Sequence, residues 1–195
     1  MSKSLSRDEA WELFCEWTES PSLRRHVLAV EAAMRAYAER FGEDPEEWGA
    51  VGILHDLDYE KHPDLETGHP RHAMKLLEEM DVHPHWIRAI ASHADYLEVS
   101  RDSQLEKTLF AVDELTGFIS ACAFVRPEGI HGLTPKSVKK KMKMNAFAAA
   151  VSRDDLREGA ELLGLDFDEH VAFVIAALEE RADELGLHGS AAAGT

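Results

Sequence analysis

Residues 103–124 read SQLEKTLFAVDELTGFISACAF. Leu105, Leu109, Val112, Leu115, Ile119 and Cys122 recur at steps of three and four, which predicts one long helix from about Ser103 to Phe124. Asp113 interrupts this pattern. It sits mid-helix among apolar neighbours, where a carboxylate is costly unless it is paired, hydrogen-bonded or bound to a metal.

The same periodicity, with its start and stop signals, runs through the rest of the chain. Ser6 with Glu9 has capping-box spacing ahead of Trp11, Leu13, Phe14 and Trp17. Pro21 opens a second helix that runs to about Phe41 and stops at Gly42. Asp44-Pro45-Glu46-Glu47 starts a third, which carries Trp48, Val51, Ile53 and Leu54 and ends near His55-Asp56. Residues 57–68, LDYEKHPDLETG, are polar and broken by Pro63 and Gly68, and read as a loop. Helical spacing resumes with Ala73, Leu76, Leu77 and Met80, and again after Pro84 with Ile87, Ile90 and Ala91. Residues 126–133 read as a second loop. Thr134-Pro135 starts a basic helix, Ser152 with Asp155 starts another that Gly164 ends, and Asp166 with Glu169 starts the last, ended by Gly186. No run shows sustained strand alternation, so the expected fold is all-α. The expected organisation is a single domain over residues 1–188, with a core at about 20–125 and C-terminal helices at 134–186. Residues 189–195 are expected to form a disordered tail.

The chain has 195 residues, 45% of them hydrophobic and 30% charged, which suits one globular domain with a sizeable core. Its net charge of -16 argues against a nucleic-acid polymer as partner and against an anionic membrane surface. A small anionic substrate remains compatible, because a metal or a local lysine cluster can dominate the field in a cleft. Cys15 and Cys122 read as reduced core thiols. The N-terminus has no continuous apolar run and no segment reaches the length of a membrane span, so the expected location is cytoplasmic. The sequence carries no signal for oligomeric state.

The candidate chemistry centres on residues 49–56, GAVGILHD, an apolar helix that ends in His55-Asp56. At a helix end two adjacent side chains can turn toward one centre. A nitrogen with a hard oxygen suits Mn, Fe, Co, Ni or Zn better than Ca. The dipeptide alone is as readily a cap or a C-terminal charge interaction, and the meaning comes from its partners. His26 lies upstream in SLRRHVLAVEAAM, and Asp113 lies downstream in TLFAVDELTGFI.

The order His26, His55-Asp56, Asp113 on helices resembles the HD-domain superfamily of metal-dependent phosphohydrolases, over about residues 20–125. The resemblance implies an all-α HD-type domain with these four residues as metal ligands, and hydrolysis of phosphate mono- or diesters of a small phosphorylated compound such as a nucleotide. In that chemistry the metal lowers the pKa of a water that attacks phosphorus, while Asp56 and Asp113 orient the water and one of them takes its proton. His69-Pro70 and His93, in AIASHAD, resemble the extra ligands of dinuclear members, although the neighbour of His93 is Ala94 rather than a second histidine. The metal count is therefore one or two. His72 is the best spare ligand, and His62, His83, His85, His131, His170 and His188 read as surface residues. The lysine that follows the dipeptide by two positions in many members is replaced by Asp58, so Lys61 is the substitute candidate for holding phosphate, together with Arg126. DELTGFISACAFVRP, KSVKKKMK and FAAAVSR resemble a group of uncharacterised members and carry the resemblance to about residue 180. Lys136, Lys139, Lys140 and Lys143 fall at i, i+3, i+4 and i+7 and share one helix face. That face is either a solvated surface or a set of cations for the substrate. Two rival readings use the same ligands: an HD-type di-iron oxygenase, and a non-catalytic nucleotide-sensing module.

Overall fold

The computed structural model describes residues 2–189. Residues 190–195, most of the expected tail, lie outside the described residues. Ten α-helices occur among the described residues and no strand does. The only extended pairing there consists of two isolated bridges, Lys3 with Val82 and Gly129 with His188. The fold is all-α. No helix among the described residues is long and apolar enough to cross a membrane.

The start signals act as the sequence implies. Ser6 caps α1 (Arg7–Trp17) in a full capping box with Glu9. Ser20 caps α2 (Pro21–Phe41), with Pro21 in its first turn, and Gly42 ends it in the left-handed region at φ 75°. A side chain there would be strained by its own backbone. Asp44 caps α3 (Pro45–Leu54), and α4 (Arg71–Glu79) and α5 (Pro84–His93) follow. A single 3-10 turn, Asp95–Leu97, precedes α6 (Gln104–Phe124). Thr134 caps α7 (Pro135–Met142), Ser152 caps α8 (Arg153–Leu162) and Asp166 caps α9 (Phe167–Glu180). The expected last helix is broken once. Arg181 takes φ -112° and ψ 22°, and α10 (Ala182–Leu185) restarts beyond it, burying Ala182 and Leu185 before Gly186.

The chain forms two compact units, Met1–Phe110 and Ala111–Thr195, with the boundary inside α6. In the first, α3 packs against α1, α2 and α5. Every residue from Trp48 to Leu54 is buried, as expected of a helix that is apolar all round. Fully burying a side chain of the size of Ile53 or Leu54 contributes about 1.5–3 kcal/mol. Close approach to α2 requires a small residue: a Cβ on Gly52 would lie 3.2 Å from the backbone of Glu31. In the second unit α9 plays the same part, packing against α7, α8 and α10.

His170 corrects one reading. It is fully buried on α9, where its Nε2–H donates to the carbonyl of Ala111 at 3.0 Å. It shares a face with Val171, Val174, Ile175 and Leu178, and the hydrogen bond offsets the cost of placing a ring nitrogen in that face. Of the two cysteines, Cys122 is buried and Cys15 is only partly so.

Candidate metal centre

α2 carries His26, α3 ends on His55 with Asp56 next to it, His69 lies just before α4, and His93 is the last residue of α5. Their side chains converge around Asp56. Its Oδ2 lies 3.6 Å from His26 Nε2 and 3.5 Å from His55 Nε2. Its Oδ1 lies 3.4 Å from His69 Nε2 and 3.9 Å from His93 Nε2. One carboxylate thus divides its two oxygens between two histidine pairs. His55, Asp56 and His93 form a group whose donor atoms all lie within 4.8 Å of one another. The cluster is largely shielded, with Asp56 13% exposed and the His55 side chain wholly buried.

The rings are fixed in a common sense. His55 Nδ1–H donates to the carbonyl of Gly52 at 2.7 Å, and His93 Nδ1–H donates to that of Ile90 at 2.5 Å. Both acceptors lie three residues back on the ring's own helix, so the helix end sets the tautomer. A carbonyl can only accept, which puts the proton on Nδ1 and leaves Nε2 of a neutral ring as an electron-pair donor toward the cluster. His69 reaches the same state differently, by donating Nδ1–H to Asp58 Oδ1 at 2.8 Å. His69 Nε2 and His93 Nε2 then face each other at 3.2 Å. Two ring lone pairs at that distance repel unless a proton or a metal cation lies between or beside them. Nitrogen donors oriented through their far ring nitrogen, grouped with a carboxylate, are the donor set of a transition-metal site. The residues therefore fit the metal that the sequence implies.

Asp58 is the residue whose role the sequence reading missed. Its side chain is fully buried, and its Oδ2 accepts the backbone N–H of Ala73 at 2.8 Å. That bond serves the first turn of α4, which has no capping side chain of its own. Burial pushes the Asp58 carboxyl up, but the hydrogen bonds from His69 and Ala73 outweigh it and hold the group below the usual carboxylate range. An acid inside the run LHDLDYE needs donors, and the uncapped start of the next helix was the available signal. Around His69, the Tyr59 ring meets the imidazole edge-on at 5.2 Å, and Tyr96 Oη–H donates to the His69 carbonyl at 2.9 Å. Burial pushes the Tyr96 hydroxyl up to about 12.

The HD-domain family model matches residues 23–117. Over these residues the chain is an HD domain. Nothing among curated proteins or solved structures matches it. HD domains are in the main metal-dependent hydrolases that bind divalent ions through His and Asp. The matched residues include His55-Asp56, at the end of α3.

Asp113 is partly buried on α6, with Val112 and Leu115 fully buried beside it in the helix. Lys61 is turned to α1 rather than held ready for phosphate: its ammonium donates to the Glu16 carbonyl at 3.1 Å and lies 4.7 Å from the Trp17 ring centroid. Arg126 is occupied by its own loop, donating to the carbonyls of Gly129 and His131 at 2.9 and 2.8 Å. His72 is exposed and stacks on His62 with ring centroids 3.8 Å apart. Lys136, Lys139, Lys140 and Lys143 do share one face, lining a single depression in the second unit, and Lys139 pairs there with Asp168 at 2.7 Å.

Proposed function

We propose that the protein is a dinuclear, metal-dependent phosphoric ester hydrolase acting on a small phosphorylated compound. The observation that carries this reading is the division of Asp56 between the His26/His55 pair and the His69/His93 pair. A carboxylate with one oxygen directed to each of two nitrogen sets suits a bridge between two ions. In this reading His26, His55 and Asp56 would hold one ion, and Asp56, His69 and His93 would hold the other. Asp113 is proposed as a further ligand on the strength of its place in the superfamily's residue order. When bound, the ions would neutralise phosphoryl oxygens and lower the pKa of water, in the manner of two-metal phosphoesterases.

The chain's own residues do the rest. The carbonyls of Gly52 and Ile90 and the carboxylate of Asp58 fix three imidazoles before any ligand arrives, so little ordering is left for the moment of binding. With both Asp56 oxygens committed to the histidine pairs, Asp113 is the candidate acceptor for the proton that the attacking water must lose. Tyr59 and Tyr96, at 42% and 40% exposed, flank His69 and give a substrate an apolar shoulder beside the polar cluster. Neither Lys61 nor Arg126 is needed for phosphate in this account.

The test is a panel of phosphomonoesters and phosphodiesters, assayed with the purified protein under Mn, Fe, Co, Ni and Zn in turn, with oxygen consumption followed in parallel. Release of phosphate or alcohol that disappears in Asp56→Ala supports the proposal. Oxygen uptake without ester cleavage would replace it with the oxygenase reading.

A further inference from the structure

Residues 129–153 contain Lys136, Lys139, Lys140, Lys141, Lys143 and Arg153 and no Asp or Glu, in a chain whose net charge is -16. Two of these cations have local partners. Arg153 donates to the carbonyls of Ala148, Val151 and Phe147, which shapes the turn after α7, and Lys141 lies over the Phe147 ring at 4.7 Å. Lys136, Lys140 and Lys143 have no ion pair among the described residues.

The lysine face borders a cavity. Val138 and Met142 anchor α7 by their burial, which turns Lys139 and Lys143 outward along one edge. Beside that edge lies a cavity of about 440 Å³, built wholly from the second unit. Its floor is apolar, made by Met142, Leu165 and Phe167 with Ala160. Lys139, Lys143 and Arg157 stand around it. Lys139 and Arg157 have partners in Asp168 and Asp154, at 2.7 and 3.1 Å, but both pairs are largely solvent-exposed. Such pairs contribute little and exchange readily for a better anion. Two carboxylates complete the wall. Asp166 is committed to capping α9, accepting from the N–H groups of Asp168 and Glu169. Glu161 is left as an acceptor for hydroxyl or amide donors.

We propose that this cavity is a second ligand site, for a small organic phosphate whose apolar part rests on Met142, Leu165 and Phe167 and whose phosphoryl group meets Lys139, Lys143 and Arg157. The volume is that of a small-molecule site. Three cations around one opening exceed what a single carboxylate needs and suit a dianion. A polymer is disfavoured, because Glu161 and Asp166 interrupt the positive track that a phosphate backbone would follow. The proposal does not rest on the metal reading, since no residue of the Asp56 cluster takes part.

The probe is phenylphosphonate, which has no ester bond to cleave, titrated into the full-length protein labelled at its methionine methyl groups and followed by NMR. The Met142 signal should move saturably while that of Met34, in the first unit, stays still. Methylphosphonate, which lacks the apolar part, should bind roughly threefold to tenfold more weakly. The double variant Lys139→Gln, Lys143→Gln should weaken phenylphosphonate at least about tenfold, and added salt should weaken it in the wild type. Asp56→Ala should leave the titration unchanged. A Met142 signal that does not respond, or responds equally in the double variant, would overturn the proposal. So would a response that disappears in Asp56→Ala, which would make the lysine face part of the substrate's binding at the metal centre. A response to a short DNA duplex at lower concentration than to phenylphosphonate would overturn it in favour of a polymer surface.

Discussion

Replacing Asp58 by Ala removes both hydrogen bonds that a fully buried carboxylate accepts, from His69 Nδ1 at 2.8 Å and from Ala73 N at 2.8 Å. Two consequences separate cleanly. The first turn of α4 loses its acceptor, and hydrogen bonds to a charged acceptor contribute about 1.5–3 kcal/mol each. Removing the carboxylate also relieves its desolvation cost, so the net loss of folding stability should be roughly 2–4 kcal/mol, read from urea unfolding of metal-free protein. The second consequence is local. The His69 ring is no longer held with Nε2 toward Asp56, and loss of such an orienting partner typically costs 10- to 100-fold in metal affinity. Competition with a chromogenic chelator measures that directly. Asp58→Asn supplies the control: its amide oxygen still accepts from His69, while its NH2 group meets the Ala73 N–H. It should retain most of the metal affinity and lose much of the stability. Metal affinity within twofold of wild type in Asp58→Ala would refute the positioning role.

Three further outcomes follow from the same geometry. Gly52→Val forces a Cβ to within 3.2 Å of the Glu31 backbone between α2 and α3 and should cost about 1–3 kcal/mol in urea unfolding; an unchanged midpoint would mean the helices can part without penalty. Burial raises the Cys122 thiol from 9.0 to about 11. The folded state therefore keeps a proton that the unfolded chain loses above pH 9, and stability falls between about pH 9 and 11 by up to roughly 2–3 kcal/mol. Cys122→Ala should lack that part of the alkaline loss, and identical profiles would contradict it. His170→Leu should be tolerated better than His170→Asn, because the ring lies on the buried apolar face of α9 with Val171, Val174 and Leu178; equal unfolding midpoints would argue that polar bonding of the ring governs the position.

The all-α fold was legible because many of the helices advertise their own start. Ser6, Asp44, Thr134, Ser152 and Asp166 cap within hydrogen-bond reach of the first turn, as local spacing alone demands. The break at Arg181 was not legible, since it depends on where Ala182 and Leu185 find burial, and packing is not a local property. In the candidate site, His26, His55, Asp56, His69 and His93 could be chosen by residue type and order along the chain. Their joint dependence on Asp56 could not, because it arises from four separate elements meeting. Lys61 was chosen by sequence proximity to the dipeptide, but the turns at 57–62 direct it to Glu16 and Trp17. Asp58, three residues nearer, finds its partners eleven and fifteen residues on, at His69 and Ala73, a pairing that local spacing does not reveal. His170 is carried inside by the apolar stripe of Val171, Val174 and Leu178, a property of the whole helix that a lone histidine does not reveal.

The most direct test of the central claim is the metal content of the purified protein, measured by elemental analysis after dialysis, for wild type and Asp56→Ala together. A carboxylate that serves both histidine pairs predicts two ions per chain in the wild type and loss of both in the variant, with the helical circular dichroism retained. A variant that keeps its full metal load would contradict the account. So would a wild-type chain that stops at one ion under metal excess, because the His69/His93 pair would then be holding none.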